Sequence, residues 1–192
     1  METAESLLAY LQTYGLLLQH DKALPSLSAL VAGAPVHGSW WAHPQAHTIY
    51  ALLNALAEHP DVLTVKLVLG KATFIHRRLW PALLAVACAH EAWQFAELSN
   101  QARALYDAVE RQGVLRATGS YAKELERRLL VHSAQVHTEA GHHELQLTQW
   151  SLWADQVACA RTLTTQDGRL QLESAVQAIG GNLRMLPWRT TN

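Results

Sequence analysis

Between Leu63 and Val86 the apolar positions switch from every second residue to helical spacing. Leu63, Val65, Leu67 and Leu69 share one face, with Thr64 and Lys66 on the other, the alternation of a half-buried strand. Gly70-Lys71 suits a two-residue turn, because glycine supplies the positive φ that the first central position of a type II′ turn requires. ATFIHRR is then the return strand. At Trp80-Pro81 helical spacing resumes and runs to about Leu98, with Pro81 in the first turn, where its missing N–H would be unpaired anyway. The stretch predicts a hairpin feeding a helix.

Upstream, Leu7, Leu11, Tyr14 and Leu18 form the stripe of an amphipathic helix over 4–19, with Gly15 inside it at some cost. Pro25 opens a short second helix through SLSALVAG, which Gly33 ends in a left-handed conformation and Pro35 keeps ended. VHGSWW, Val36 to Trp41, is too short for a helix and reads as a brief strand or ordered loop. Extended, it would point Trp40 and Trp41 to opposite sides, one into the core and one towards a surface groove. A third helix opens at His43-Pro44, carries Ile49, Leu52, Leu53 and Leu56 on one face, and closes at His59-Pro60.

Downstream, Ser99 caps a helix with Ala102, Leu105, Tyr106 and Val109 on one face, and Gly113 ends it. VLRATG reads as a connector in which a second helix is reduced to a turn, and Ser120 caps SYAKELERRLL. VHSAQVHT and HHELQLTQ are extended runs around a three-residue turn, Glu139-Ala140-Gly141. Helices over 150–163 and 168–180 close the chain, Gly180-Gly181 ends the second, and the tail beyond is loose apart from Trp188.

Helix, helix, short extended piece, helix, hairpin is the order of a winged helix. The expected class is α+β, mainly helical, with tandem winged-helix-like units, each with a β-hairpin wing. The expected boundaries are 1–98 for the first unit with its following helix, 99–150 for the second, and 151–192 for closing helices and tail. No residue-level repeat relates the two units.

A resemblance accompanies this pattern. LPSLSALVAG, Trp40-Trp41, KLVLGKATFI, LWPALLAV, GVLRATG and LERRLLVHSAQV together resemble uncharacterised bacterial winged-helix proteins related to the AlkZ-type DNA glycosylases, over roughly residues 24 to 153. The resemblance implies an array of winged-helix units that embraces DNA. In the glycosylases such an array releases alkylated or cross-linked bases through a Gln-apolar-Gln or Gln-apolar-Asp triplet. Gln171 ends no such triplet, and Gln146-Leu147-Thr148-Gln149 is one residue too long. DNA contact, rather than catalysis, is what the resemblance carries here.

Composition changes the picture in one respect. The chain has 192 residues, 49% apolar and 16% charged, with net charge -1, so no global basic field draws nucleic acid and any contact needs a local patch. Ten of the fifteen Lys and Arg lie between residues 61 and 130 against seven acids, which makes that segment basic. Lys66, Lys71, Arg77, Arg78, Arg116, Lys123, Arg127 and Arg128 are the residues expected to meet phosphates, on or beside the two hairpins; the competing reading is solvated faces and ion pairs with Glu124, Glu126 and their like. Trp40, Trp41 and His43 are candidates for stacking on an extruded base, against a packing role for the tryptophan pair.

Of eleven histidines, His132, His137, His142 and His143 cluster at the second hairpin. No HExxH occurs, no cysteine joins them, and His132 and His137 fall on opposite strand faces, so no metal site is expected. Cys88 and Cys159, in apolar surroundings, read as buried thiols. GxSxG, P-loop and GxGxxG motifs are absent and Glu91, Glu97 and Asp107 show no pairing, so standard hydrolase, NTPase and dinucleotide sites are unsupported and no cofactor is expected. No basic leader or membrane-length apolar run occurs; the expected location is cytoplasmic, with no membrane partner. Two readings stand: a DNA-binding winged-helix protein, a non-catalytic or divergent relative of the repair glycosylases, and a protein-interaction or scaffold module that associates with itself or a partner; a glycosylase proper is a weaker third.

Overall fold

The computed structural model describes residues 2–137 and 143–189, which divide into two units, one running to Trp80 and including Leu170–Arg189, the other Pro81–Arg169. In the first, α1 (Ala4–Tyr14) is opened by Thr3, whose hydroxyl accepts from Ser6 N–H, and is closed by Gly15 at φ 83°. The helix expected to reach residue 19 stops there. Leu16–Leu18 instead form β1, with all three side chains fully buried, because left-handed Gly15 turns the chain into the sheet. A Cβ at Gly15 would lie 2.6 Å from Leu79 Cδ1 and 2.9 Å from Arg78 Nη2, so the close approach also demands glycine.

Helix α2 (Leu27–Ala32) ends at Gly33 as expected, but Ser26 caps it, so Pro25 lies before the helix rather than opening it. VHGSWW takes the loop alternative rather than the strand: it ends in one 3-10 turn, Trp40–Ala42, and Trp40 and Trp41 stack at 4.0 Å instead of pointing apart. Then come α3 (Ala46–Ala57), β2 (Val62–Lys66) and β3 (Ala72–His76), with Ile49, Leu53 and Leu56 of α3 buried. β3 lies between β1 and β2, antiparallel to both, in the register Leu17↔Phe74 and Thr64↔Phe74. The wing turn differs from the expected Gly70-Lys71. Lys66 pairs with Ala72, buried Leu67 and Val68 draw the connection inwards, and the positive φ angles fall on Leu69 (54°) and Gly70 (64°). Lys71 N–H donates to Val68 O, closing a turn of the type I′ hand. Leu7, Leu11, Leu17, Leu27, Ile49 and Phe74 form the heart of this unit's core.

The helix expected over 80–98 is broken. α4 (Trp80–Ala87) stops, His90 adopts φ 51°, and Glu91 starts a short α5 (Ala92–Phe95) through a capping box with Gln94. The fully buried Gln94 amide donates to Ala87 O, satisfying a carbonyl at the end of α4.

The second unit repeats the order with one helix fewer. Ser99 caps α6 (Asn100–Gln112) by accepting from Ala102 N–H, and Gly113 ends it, as the pattern predicts. VLRATG is more than a connector: Val114–Ala117 form β4, paired with β6. Gly119, not Ser120, holds the cap position of α7 (Ser120–Arg127), and as glycine it supplies no side-chain cap. β5 (His132–His137) and β6 (His143–Thr148) make the second hairpin, with the sheet order β4-β6-β5. Its expected turn, Glu139-Ala140-Gly141, lies outside the described residues, as does His142. Tyr106, Val109, Leu125, Val131 and Leu147 belong to its core. Both units therefore have the winged-helix-like arrangement: helix, strand, helical segment, hairpin, with the first strand paired to the last.

α8 (Trp150–Gln156) ends earlier than the expected residue 163, at a left-handed Ala158. α9 (Thr165–Ala178) starts slightly before its expected span. The described tail is not loose. In the first unit Leu186 is fully buried, and the Trp188 indole N–H and the Arg189 guanidinium both donate to the buried Glu173 carboxylate. Among the described residues no helix is long and apolar enough to cross a membrane.

Candidate nucleic-acid interface

In the first unit the basic residues of the wing are largely engaged by the fold. Asp21 is buried, its carboxylate accepts Ala23 and Leu24 N–H, and Lys71 Nζ lies 2.5 Å from its second oxygen. Burial alone would raise the Asp21 pKa, but the hydrogen bonds from Lys71, Leu24 and Ala23 outweigh it and hold the carboxyl below its usual range. Arg77 pairs with Asp61 at 2.9 Å, and Arg78 Nη2 donates to Thr13 O at 3.0 Å. Arg78 also borders an open groove of about 440 Å³ with Thr13, Tyr14, Leu170, Gln171 and Ser174. Lys66 on β2 is half-buried and has no ion pair among the described residues.

The helix that precedes this wing, α3, holds no cation. Its exposed positions are His47, Tyr50, Ala51, Asn54, Ala55 and Ala57. Trp40 packs on the core, while Trp41 is 62% exposed and leans on Tyr50 with ring centroids 5.4 Å apart. His43 Nδ1 accepts Gln45 N–H ahead of α3, so its ring closes a turn. The stacking pair and His43 are adjacent, yet residues 23–57 contain no Lys or Arg to hold a phosphate beside them.

The second unit differs. On α7, Ala122 and Leu125 are buried, whereas Ser120, Tyr121, Lys123 and Arg127 are exposed. Lys123 and Arg127 are four residues apart, one above the other on a helix. The acids of the same helix are drawn aside: Glu124 accepts from Ser99 N–H and Oγ–H, and Glu126 accepts from Ser133 Oγ–H at 2.6 Å. No ion pair holds Lys123 or Arg127 among the described residues. Arg116 on β4 is exposed and only 3.9 Å from Glu144 across the sheet. Arg128, by contrast, is structural: Nη1 donates to Trp93 O at 2.6 Å. The expected site residues thus sort into Lys123 and Arg127 on one helix face, Arg116 on the neighbouring strand, and side chains built into the fold. Tyr121, 42% exposed beside Lys123, is the contact candidate that reading by charge alone misses. The alternation of buried Ala122 and Leu125 with exposed Tyr121 is the signal for it.

Of the second hairpin's histidines, His132 is largely buried between Trp150 (5.7 Å, edge-on) and Trp153 (5.5 Å, stacked). Burial pushes its pKa down to about 4, so the ring is neutral, and its buried Nδ1 has no hydrogen-bond partner among the described residues. Tyr106 bonds His90 at 3.1 Å, and burial raises its pKa to about 12. Cys88 and Cys159 are half-buried thiols, less enclosed than expected, and burial raises the Cys88 thiol pKa. A thiol held protonated is a poor nucleophile. Among the described residues no three His, Cys, Asp or Glu side chains gather as metal ligands. Compared with known protein families, curated proteins and solved structures, the chain finds no match.

Proposed function

We propose that this is a DNA-binding tandem winged-helix protein that contacts duplex phosphates through α7 of its second unit, and that it is a non-catalytic relative of the AlkZ-type repair glycosylases. One observation carries the DNA contact: Lys123 and Arg127 stand exposed one turn apart on the helix before the wing, while Glu124 and Glu126 are occupied by Ser99 and Ser133. In winged-helix proteins the helix before the wing is the one that enters the major groove. Arg116, exposed on β4, is a further candidate phosphate contact. Base excision is left out of the reading because the Gln triplet of the glycosylases is missing. The test is fluorescence anisotropy of labelled duplex DNA with the wild type and a K123A/R127A variant at low salt. Weaker binding by the variant supports the reading, and a wild type that does not bind excludes it.

A further inference from the structure

The groove beside Arg78 in the first unit takes no part in the DNA reading. Its walls come from the end of α1, from Arg78 and Leu79 in the turn after β3, and from one face of α9, where Leu170, Ser174 and Ala178 recur every fourth residue. Small side chains at Ser174, Ala175 and Ala178 leave the space open. Its volume of about 440 Å³ is within the range of small-molecule sites.

Arg78 is the one charged side chain among the described residues that line it. The guanidinium is held in place, because Nη2 donates to Thr13 O at 3.0 Å and lies where a Cβ on Gly15 would come within 2.9 Å of it. That bond uses one of its five N–H donors, and no carboxylate pairs with Arg78 among the described residues. Gln171 and Ser174, exposed on the same wall, hydrogen-bond no other described residue through their side chains. The rest of the lining is mainly apolar: Leu79 is buried, while Leu170 is 50% and Tyr14 37% exposed.

A hydrated phosphate would use the cation and leave these walls wet. A carboxylate on an apolar body uses both, since its two oxygens match the guanidinium fork and its hydrocarbon covers leucine and alanine. From the fixed cation without a counter-ion and the apolar walls around it, we infer that this groove binds a small organic carboxylate with an aliphatic or aromatic body. The carboxylate takes the free N–H donors of Arg78, with Gln171 and Ser174 as further hydrogen-bonding groups. The body lies against Leu79, Leu170 and Ala175.

Titration of the full chain at pH 7.5 with octanoate and phenylbutyrate, followed by backbone amide chemical shifts, tests it. The matching neutral alcohols and inorganic phosphate are the comparison arms. The expected result is saturable binding of at least one carboxylate, with the shifts concentrated at Thr13, Arg78, Leu79 and Ser174. Its alcohol and inorganic phosphate bind about tenfold more weakly or worse, because each lacks one of the two interactions. R78Q lowers the carboxylate's affinity to that of the alcohol. S174F fills the groove from an exposed position and abolishes carboxylate binding at an unchanged melting temperature, which keeps the test decisive if R78Q does not fold. Failure of both carboxylates to saturate overturns the inference. So do shifts centred elsewhere, an alcohol or phosphate that binds as tightly, or a folded S174F that binds like the wild type.

Discussion

Lys71 Nζ lies 2.5 Å from a carboxylate oxygen of Asp21, whose side chain is 5% exposed. This contact assigns the lysine at the first wing to the fold. The Asp21 carboxylate, already accepting Ala23 and Leu24 N–H, ties the loop before α2 to the wing turn.

Lys71→Ala is therefore expected to lower stability and leave DNA affinity unchanged. The lysine is about half exposed, so solvent screening keeps the loss below that of a fully buried pair, at about 1–3 kcal/mol. The Asp21 pKa is depressed, so the stability it contributes is present above its unfolded value of 3.8 and is lost as pH falls through the folded value. Urea unfolding of the wild type and variant near neutrality and in acid measures this, and the gap between them is expected to shrink in acid.

His132 acts in the same direction as Asp21, in a higher pH window. Its folded pKa of about 4 lies below the ordinary 6.5, so the unfolded chain takes up the proton first. Stability is complete above about pH 6.5 and falls as pH drops towards 4, by about 3 kcal/mol over that span, with no further change from this group below it. His132→Phe, which keeps an aromatic ring against Trp150 and Trp153, is expected to remove that acid dependence. Tryptophan fluorescence during urea unfolding at pH 7 and pH 4.5 reads both proteins.

Trp188 should be as costly to remove as a core residue. It is 7% exposed, and its indole N–H donates to Glu173, which also holds Arg189. Trp188→Ala is expected to cost about 3 kcal/mol or more in chemical unfolding. A tail that only decorates the surface would give less than about 0.5 kcal/mol.

What the sequence made legible was local. The α3 stripe, the Ser99 cap, the Gly33 and Gly113 stops and the β2-β3 hairpin each follow from spacing or backbone chemistry within a few residues. What stayed hidden depended on distant partners. Leu16–Leu18 continue the apolar stripe of α1, and only pairing with β3 makes them a strand. β4 is likewise a strand because β6 receives it. Sequence charge nominated eight Lys and Arg evenly, yet Asp21, Asp61, Thr13 and Trp93 engage four of them across the fold, and two serines draw the acids of α7 away from Lys123 and Arg127. Hydrogen bonds between residues far apart in the chain leave no trace in periodicity.

The most direct test of the central claim is the salt dependence of duplex DNA affinity for the wild type, K123A/R127A and K71A. If Lys123 and Arg127 each neutralise a phosphate, the plot of log affinity against log salt becomes shallower by about 2 in the double variant, at about 0.9 per contact. K71A is expected to keep the wild-type slope. A double variant with the wild-type slope and affinity would contradict the account, as would a wild type that fails to bind duplex DNA at the lowest salt.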